Sequence, residues 1–242
     1  MSKLRLGEAY RDFVRTLGRR HSTERAMSLA VGGEFEAVGT LEREILIRFG
    51  LQPSDYVIDV GCGSGRLAKP LSAYLTGRYL GIDVVPELVE HARGLVGRPD
   101  WRFEIASGLE IPERAERADF VCFFSVITHL LHEQSYHYLR DARRVLKPGA
   151  RIVVSFLEFA IASHWNVFQS MLEDRAGTHL NMFVERDALR AWAAHLDLEI
   201  VEFLDGDKLQ ARLPQPVTMD DGRVISDWWS LGQSICLLRK PA

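Results

Sequence analysis

An α/β fold with a doubly wound, mostly parallel sheet is predicted by three features of the sequence. Residues 57–67, Val-Ile-Asp-Val-Gly-Cys-Gly-Ser-Gly-Arg-Leu, pass from a β-branched run through three alternating glycines into a helix-like pattern. Beyond them strand patterns alternate with helix patterns, the arrangement that gives parallel strands joined by right-handed crossovers. Residues 118–126, with Asp119-Phe120-Val121-Cys122-Phe123-Phe124 inside them, are the most continuous apolar run, as a central strand covered on both faces requires.

A chain of 242 residues, 47% of them hydrophobic, has enough apolar material for one large domain with additions. We read residues 1–50 as an N-terminal helical cap and 51–242 as the main domain, the two forming one compact unit. The net charge is −3 and the isoelectric point about 6.3, so no global field attracts polyanions and nucleic acid is not expected as a partner. Cys62, Cys122 and Cys236 lie far apart without Cys-x-x-Cys spacing, which indicates neither a disulfide framework nor a zinc site. No apolar run reaches membrane-spanning length and the N-terminus builds no signal-peptide core. A cytoplasmic protein with reduced thiols is the expectation.

In chain order, Leu6, Tyr10, Phe13, Val14 and Leu17 recur at helical spacing over 4–20, with arginines 11, 15, 19 and 20 on other faces. This amphipathic helix is either a cover packed on the sheet or a mobile lid whose basic residues favour an anionic substrate or a membrane surface. A second helix over 22–31 breaks at Gly32-Gly33. A third runs over 38–49 and stops at Gly50, with Pro53 just beyond. Phe35 sits in the break between them, where it either lines or hinges the site.

At the glycine loop, positive φ or close approach of a ligand explains three residues without a Cβ. The helix N-terminus that follows presents free N–H groups suited to an anionic group. The dinucleotide fingerprint requires glycine at the sixth position, where Arg66 stands. Residues 78–83 are a second strand ending on Asp83, about twenty residues beyond the loop, where an α/β nucleotide site holds ribose hydroxyls on a carboxylate. The other role open to Asp83 is capping the helix that begins near Pro86.

A third strand over 101–106 ends in Ser107-Gly108-Leu109, and the fourth, the apolar run, ends at Phe124 and Ser125. His129 follows at the carboxyl end of that strand, where ligands bind in open α/β sheets. An imidazole titrates near neutrality and is suited to removing a proton from an acceptor; packing at a loop-to-helix junction is its other role. A helix over 132–146 stops at Lys147-Pro148-Gly149, and 151–157 are the fifth strand. A helix over 185–195 and strands over 198–204 and 234–238 complete the pattern, with 214–232 read as a β-rich rim.

The pattern Asp59-x-Gly61-x-Gly63-x-Gly65, the acid at 83, and the helix ending Leu146-Lys147-Pro148-Gly149 before a strand resemble the class I S-adenosylmethionine-dependent methyltransferases, over roughly 52–159. The resemblance implies a seven-stranded Rossmann-like sheet with an antiparallel last strand, and S-adenosyl-L-methionine as cofactor. It places Asp59, Gly61, Cys62, Gly63 and Gly65 along the methionine part and ribose, and Asp83 with Val84 at the ribose. Ser107, Gly108 and Leu109 fall at the adenine, with serine where the family often carries an acid, and Phe124 and Ser125 at the methionine end. His129 becomes the general base for transfer of a methyl to a hydroxyl, or less readily an amine, of a small-molecule acceptor such as a natural product or sugar.

Phe35, Trp165 and Phe168 are the aromatic residues expected around that acceptor, together with His129. His164 and His179 lie in a segment able to reach the same pocket, whereas His91, His137 and His195 fall on helices. No metal is expected, because Thr128 stands where some quinone-type O-methyltransferases carry an acid before the corresponding histidine. The absence of Asn/Asp-Pro-Pro-Tyr, of a Pro-Cys pair and of Tyr-x-x-x-Lys argues against amide and adenine N-methylation, cytosine methylation and nicotinamide reduction. The alternative carried beside the enzyme is a cofactor-binding or regulatory module without catalysis.

Overall fold

The computed structural model describes residues 4–174 and 181–242. Helices α1 (Leu4–Arg20), α2 (Thr23–Ala30) and α3 (Phe35–Arg48) precede β1 (Val57–Val60). There follow α4 (Ala68–Ser72), β2 (Tyr79–Asp83), α5 (Pro86–Val96), β3 (Arg102–Ile105) and β4 (Ala118–Phe123). After a 3-10 turn, Ile127–His129, come α6 (His132–Val145), β5 (Leu146–Phe156), α7 (His164–Glu173), α8 (Arg186–His195) and β6 (Glu199–Leu204). Four two-residue strands, β7 (Ala211–Arg212), β8 (Val217–Thr218), β9 (Val224–Ile225) and β10 (Trp228–Trp229), lead to β11 (Ser234–Arg239).

Seven strands form one sheet in the order β3-β2-β1-β4-β5-β11-β6. The pairs from β3 to β5 are parallel, and β11 runs antiparallel between β5 and β6. The order reverses at β1, which leaves the carboxyl ends of β1 and β4 beside each other, the place where such sheets bind ligands. The rim of 205–233 carries two small ribbons, β10 with β7 and β8 with β9.

Alternating strand residues feed two cores. Val57, Tyr79, Phe120 and Val153 pack with Leu41, Ile45 and Leu46 of α3 on one face. Ile58, Leu80, Val121 and Phe123 pack with Leu139 and Ala142 of α6 and Leu189 of α8 on the other. Val14 of α1, Met27 and Ala30 of α2, and Val85 and Leu88 form a third, smaller cluster. Each fully buried Leu, Ile or Val is worth about 1.5–3 kcal/mol, so the sheet and its two layers are a firm frame for whatever lies on its edge.

Three boundaries differ from those expected. Helix α3 starts at Phe35 because Glu34 takes a left-handed φ of 48° and caps it directly after the glycine pair. Strand β5 takes in Leu146, which pairs with Ala118 before a register shift. The helix after the glycine loop has only five residues, too short to contribute much macrodipole, so the expected anion-binding helix end is replaced by turns at 62–65.

Candidate active site at the carboxyl edge

The backbone N–H groups of Gly61 and Cys62 both donate to the Ile82 carbonyl, at 2.7 and 3.0 Å. The glycine loop is thus an extension of the β1–β2 pairing, and it turns with φ of 76°, 53° and 93° at Gly61, Gly63 and Gly65. Asp83 is buried and braces this turn. Its Oδ2 accepts from Gly63 N–H at 3.0 Å and its Oδ1 from Val85 N–H at 2.9 Å. Burial raises its pKa, and the backbone donors pull the other way. A carboxylate has about four acceptor positions, so both oxygens retain capacity for vicinal hydroxyls. The capping role and the ribose role are compatible.

Asp59 lies beneath the loop. Its Oδ2 accepts from the Tyr79 hydroxyl at 2.6 Å and Cys122 Sγ lies 3.6 Å from Oδ1. Burial pushes its pKa up to about 7. Its place under the loop makes it a support. Cys62 is buried too, its thiol pushed up by burial, which makes it a packing group rather than a nucleophile.

The cap lies on the loop. A Cβ at Gly63 would stand 2.5 Å from Val31 Cγ1, and one at Gly61 2.4 Å from Val126 Cγ2. Ser64 Oγ donates to the Met27 carbonyl at 2.9 Å. Arg66, the residue that breaks the dinucleotide fingerprint, binds the Val31 carbonyl and the buried Glu42 of α3. Gly39 of α3 makes this possible, because a Cβ there would fall 2.2 Å from the Arg66 carbonyl oxygen. From α1, the Arg11 guanidinium donates twice to the Val84 carbonyl, at 3.0 and 2.8 Å. The Tyr10 hydroxyl donates to the Ala30 carbonyl; burial and then Asp83 raise its pKa. Tyr10 and Arg11 figured in the sequence only as parts of an amphipathic pattern. Their partners 20 and 73 residues away leave no local signal.

The other end of the cleft is open. Ser107 and Gly108 are exposed and Leu109 is half-buried, packed on the core under α6. The donor set therefore fits a nucleoside: a buried carboxylate at the end of β2, a glycine turn beside it, and an accessible edge at 107–109. Phe124 is buried, and Ser125 takes a φ of 58°, unusual for a residue with a side chain. Thr128 Oγ1 donates to the Ser125 carbonyl at 3.1 Å. His129 ends the 3-10 turn, exposed, its ring stacked on Tyr10 with centroids 6.5 Å apart.

Met182 N–H donates to the Thr128 carbonyl at 2.7 Å, and His132 Nε2 lies 3.1 Å from the Phe183 carbonyl oxygen. This brings Phe183 beside the turn carrying His129. Phe183 stacks on Phe159 at 4.3 Å, and Trp165 and Phe168 of α7 close the cluster edge-on. Phe159 and Trp165 are exposed. Sequence reading found Trp165 and Phe168 and missed Phe159 and Phe183. Phe35 is not in this cluster; it opens α3 next to Glu34, whose backbone and side chain pair with Asp220. His164 is buried, with Nδ1 at the backbone of Glu158 and Nε2 against Gly206, so it is a packing residue. His137 and His195 are exposed on their helices, and His179 lies outside the described residues. Among the described residues no three His, Cys, Asp or Glu side chains gather as a metal site, and no helix is long and apolar enough to cross a membrane.

Residues 57–149 match the model of a methyltransferase domain. Among curated proteins, the O-methyltransferase cnsE of Penicillium expansum is 28% identical over 127 residues, 50% of this chain and 45% of that protein. A ubiquinone biosynthesis O-methyltransferase of Xanthomonas axonopodis is 28% identical over 155 residues, 60% of this chain and 62% of that one. The chain thus spans between 45% and 62% of the length of these relatives. Among solved structures, the magnesium protoporphyrin IX methyltransferase of Synechocystis with bound S-adenosylhomocysteine superposes with a TM-score of 0.65 at 15% identity, covering 99% of this chain and all of that one. A putative methyltransferase of Haloferax volcanii, in complex with the Trm112 activator, gives 0.66 at 19% identity, covering 96% of this chain and 98% of its own. With the sheet order, the glycine turn and the acid at the end of β2, these matches mark residues 57–149 as a methyltransferase domain, set in a fold that the chain shares with S-adenosylmethionine-dependent methyltransferases.

Proposed function

We propose that this protein methylates a hydroxyl group of a small-molecule acceptor carrying an apolar or aromatic portion, with His129 as general base. The observation that carries the reading is the placement of His129 at the end of β4, on a turn fastened through Thr128 to the segment that brings Phe183 into the Phe159–Trp165–Phe168 cluster. S-adenosylmethionine, when bound, supplies an electrophilic methyl on a sulfonium. Asp83 would hold its ribose, Ser107, Gly108 and Leu109 its adenine, and the 61–65 backbone with Phe124 and Ser125 its amino-acid end.

The residues of this chain then have two tasks. The aromatic cluster holds the acceptor and excludes water from one side, so that its oxygen is aligned; positioning of this kind is the larger share of catalysis. His129 takes the hydroxyl proton, a contribution typically worth about 10²–10⁴-fold. The first 50 residues act as a cap over the amino-acid end, and α1 with α2 must shift for cofactor exchange, because Val31 rests on Gly63 and Arg11 on Val84.

The test is release of S-adenosylhomocysteine from S-adenosylmethionine over a panel of phenols, hydroxylated polycycles and sugars, for wild type and His129→Ala. Turnover on at least one aromatic hydroxyl, falling at least 100-fold in the variant while cofactor affinity stays within about twofold, is the expected outcome. Unchanged turnover in the variant removes His129 from the mechanism. The covered loop favours one second reading, a binding module without catalysis, for which cofactor binding with no turnover on any acceptor would be the signature.

A further inference from the structure

A closed ring of polar groups stands behind Ser125, and the proposed methyl transfer does not use it. Ser125 N–H donates to Ser155 Oγ at 2.7 Å, Ser155 Oγ donates to Gln233 Oε1 at 2.7 Å, and Gln233 Nε2 donates to Ser125 Oγ at 3.0 Å. Three elements meet in it: the end of β4, the carboxyl end of β5, and the entry to β11. Ser155 is fully buried. Gln233 is itself held, because its carbonyl accepts from Nε2 of the fully buried Gln210 at 2.6 Å, and Gln210 Oε1 accepts from Leu231 N–H.

The ring fixes the direction of every hydrogen in it. Ser155 Oγ already accepts the Ser125 amide, so its own hydrogen needs an acceptor, and Gln233 Oε1 is the one present. The amide nitrogen of Gln233 therefore faces Ser125, and the Ser125 oxygen is used as an acceptor. The Ser125 hydroxyl hydrogen has no acceptor within the ring. It belongs to a half-buried side chain at the carboxyl edge, on a residue held at φ 58°, a backbone conformation that persists only where its surroundings impose it.

We propose that Gln233 is a positioning residue for the cofactor: by donating to Ser125 Oγ it keeps the Ser125 hydroxyl hydrogen turned to the cleft, as a donor for the anionic amino-acid end of S-adenosylmethionine. The inference rests on the methyltransferase reading above. It adds a residue 108 positions from Ser125, from the rim rather than from any of the motifs.

The ionisable groups around the ring are Glu158, Arg186 and Asp205, which meet near Ser234, and His164, packed against Gly206. All stay in place in the variants. Gln233→Leu removes the donor. Gln233→Glu replaces it with a group whose function depends on its proton: ionised, it draws the Ser125 hydroxyl hydrogen toward itself; protonated, it donates to Ser125 Oγ as glutamine does.

The experiment is calorimetric binding of S-adenosylhomocysteine between pH 5 and 8, with thermal melting as a check on folding. Gln233→Leu should bind about tenfold more weakly throughout, the size of one lost hydrogen bond to a charged group. Gln233→Glu should bind more weakly than wild type wherever its carboxyl is ionised, and recover toward wild type only at the low-pH end, where a carboxyl with a pKa near 4.3 begins to take up its proton, a slope that wild type lacks. In a Ser125→Ala background neither change should have further effect. Wild-type affinity for Gln233→Leu, or the same loss with Ser125 absent, overturns the proposal. Absence of binding by the wild type instead overturns the methyltransferase reading itself.

Discussion

The two ends of the cleft at the sheet's carboxyl edge differ in what covers them. At 61–66 the glycine turn lies under Val31, Val126 and the Met27 carbonyl, and Arg66 ties it to the cap and to α3. At 107–109 the chain leaves β3 into solvent, with only Leu109 partly packed. The covered end is built from contacts distant in sequence, so it is costly to alter. The open end is held by fewer such ties, the Tyr138 hydroxyl on the Gly108 carbonyl at 3.1 Å among them, and tolerates more change. A ligand spanning both would find a fixed anchor at Asp83 and an adaptable seat beyond it.

The contrast can be broken hardest at Glu42. This carboxylate is almost fully buried against Arg66, and burial raises its pKa while Arg66 lowers it. Removing one partner of a buried pair strands the other charge, which costs about 3–5 kcal/mol. Glu42→Ala should lose that much in urea denaturation and loosen the cap; a change below about 1 kcal/mol would mean that Arg66 finds water or another partner.

Asp59 sharpens the same comparison through pH. Its folded pKa, about 7 through burial, lies above the unfolded value near 3.9. Between these two values the folded state holds the proton that the unfolded state has lost, so this group's contribution to stability decreases as pH rises from about 4 to 7. Asp59→Asn keeps an acceptor for the Tyr79 hydroxyl and removes the titration. Its unfolding free energy should be less sensitive to pH in that window than the wild type's, as read by denaturant melts at pH 5 and pH 7.5. An identical slope in both proteins would show that Asp59 is already ionised in the fold.

The smallest effect is expected at the open end. Leu109→Ala should weaken binding of S-adenosylhomocysteine about threefold to tenfold by loss of apolar contact, and leave the melting temperature within a few degrees, since the side chain is only half-buried. A large fall in stability there would show the open end to be as tightly built as the covered one.

The same division explains what could be read from the amino-acid order. Strand β1, the turn at 61–65 and Asp83 declare themselves because the turn's backbone conformation demands glycines in a local pattern and β2 must end on an acid a fixed distance away. The parallel part of the sheet follows from alternation and length, whereas the antiparallel β11 was implied only by the resemblance to the methyltransferase family. The cap's grip on the loop was invisible, because Val31, Arg11 and Tyr10 act through carbonyls and methyl groups that any sequence supplies. Phe159 and Phe183 join Trp165 and Phe168 across a gap of 24 positions, and Gln233 reaches Ser125 across 108; pattern within a window has no access to such pairs. The shortness of the helix after the glycine turn had no local signal, since it is set by the chain turning back at Ala73 toward Pro53, whose carbonyl binds Thr76 and Gly77.

The insertion of β11 between β5 and β6 has a bearing on how the molecule is made. Among the described residues strand β6 pairs with the sheet only through β11, so during synthesis residues 199–204 wait without that neighbour until 234–239 emerge, holding an unpaired edge and the apolar β5 border open to other chains. Long-range pairing of this sort is slow and exposed to aggregation. The ring at Ser125, which draws on Gln233, closes only with that late arrival, so a nascent chain has no finished cleft until its sheet is complete.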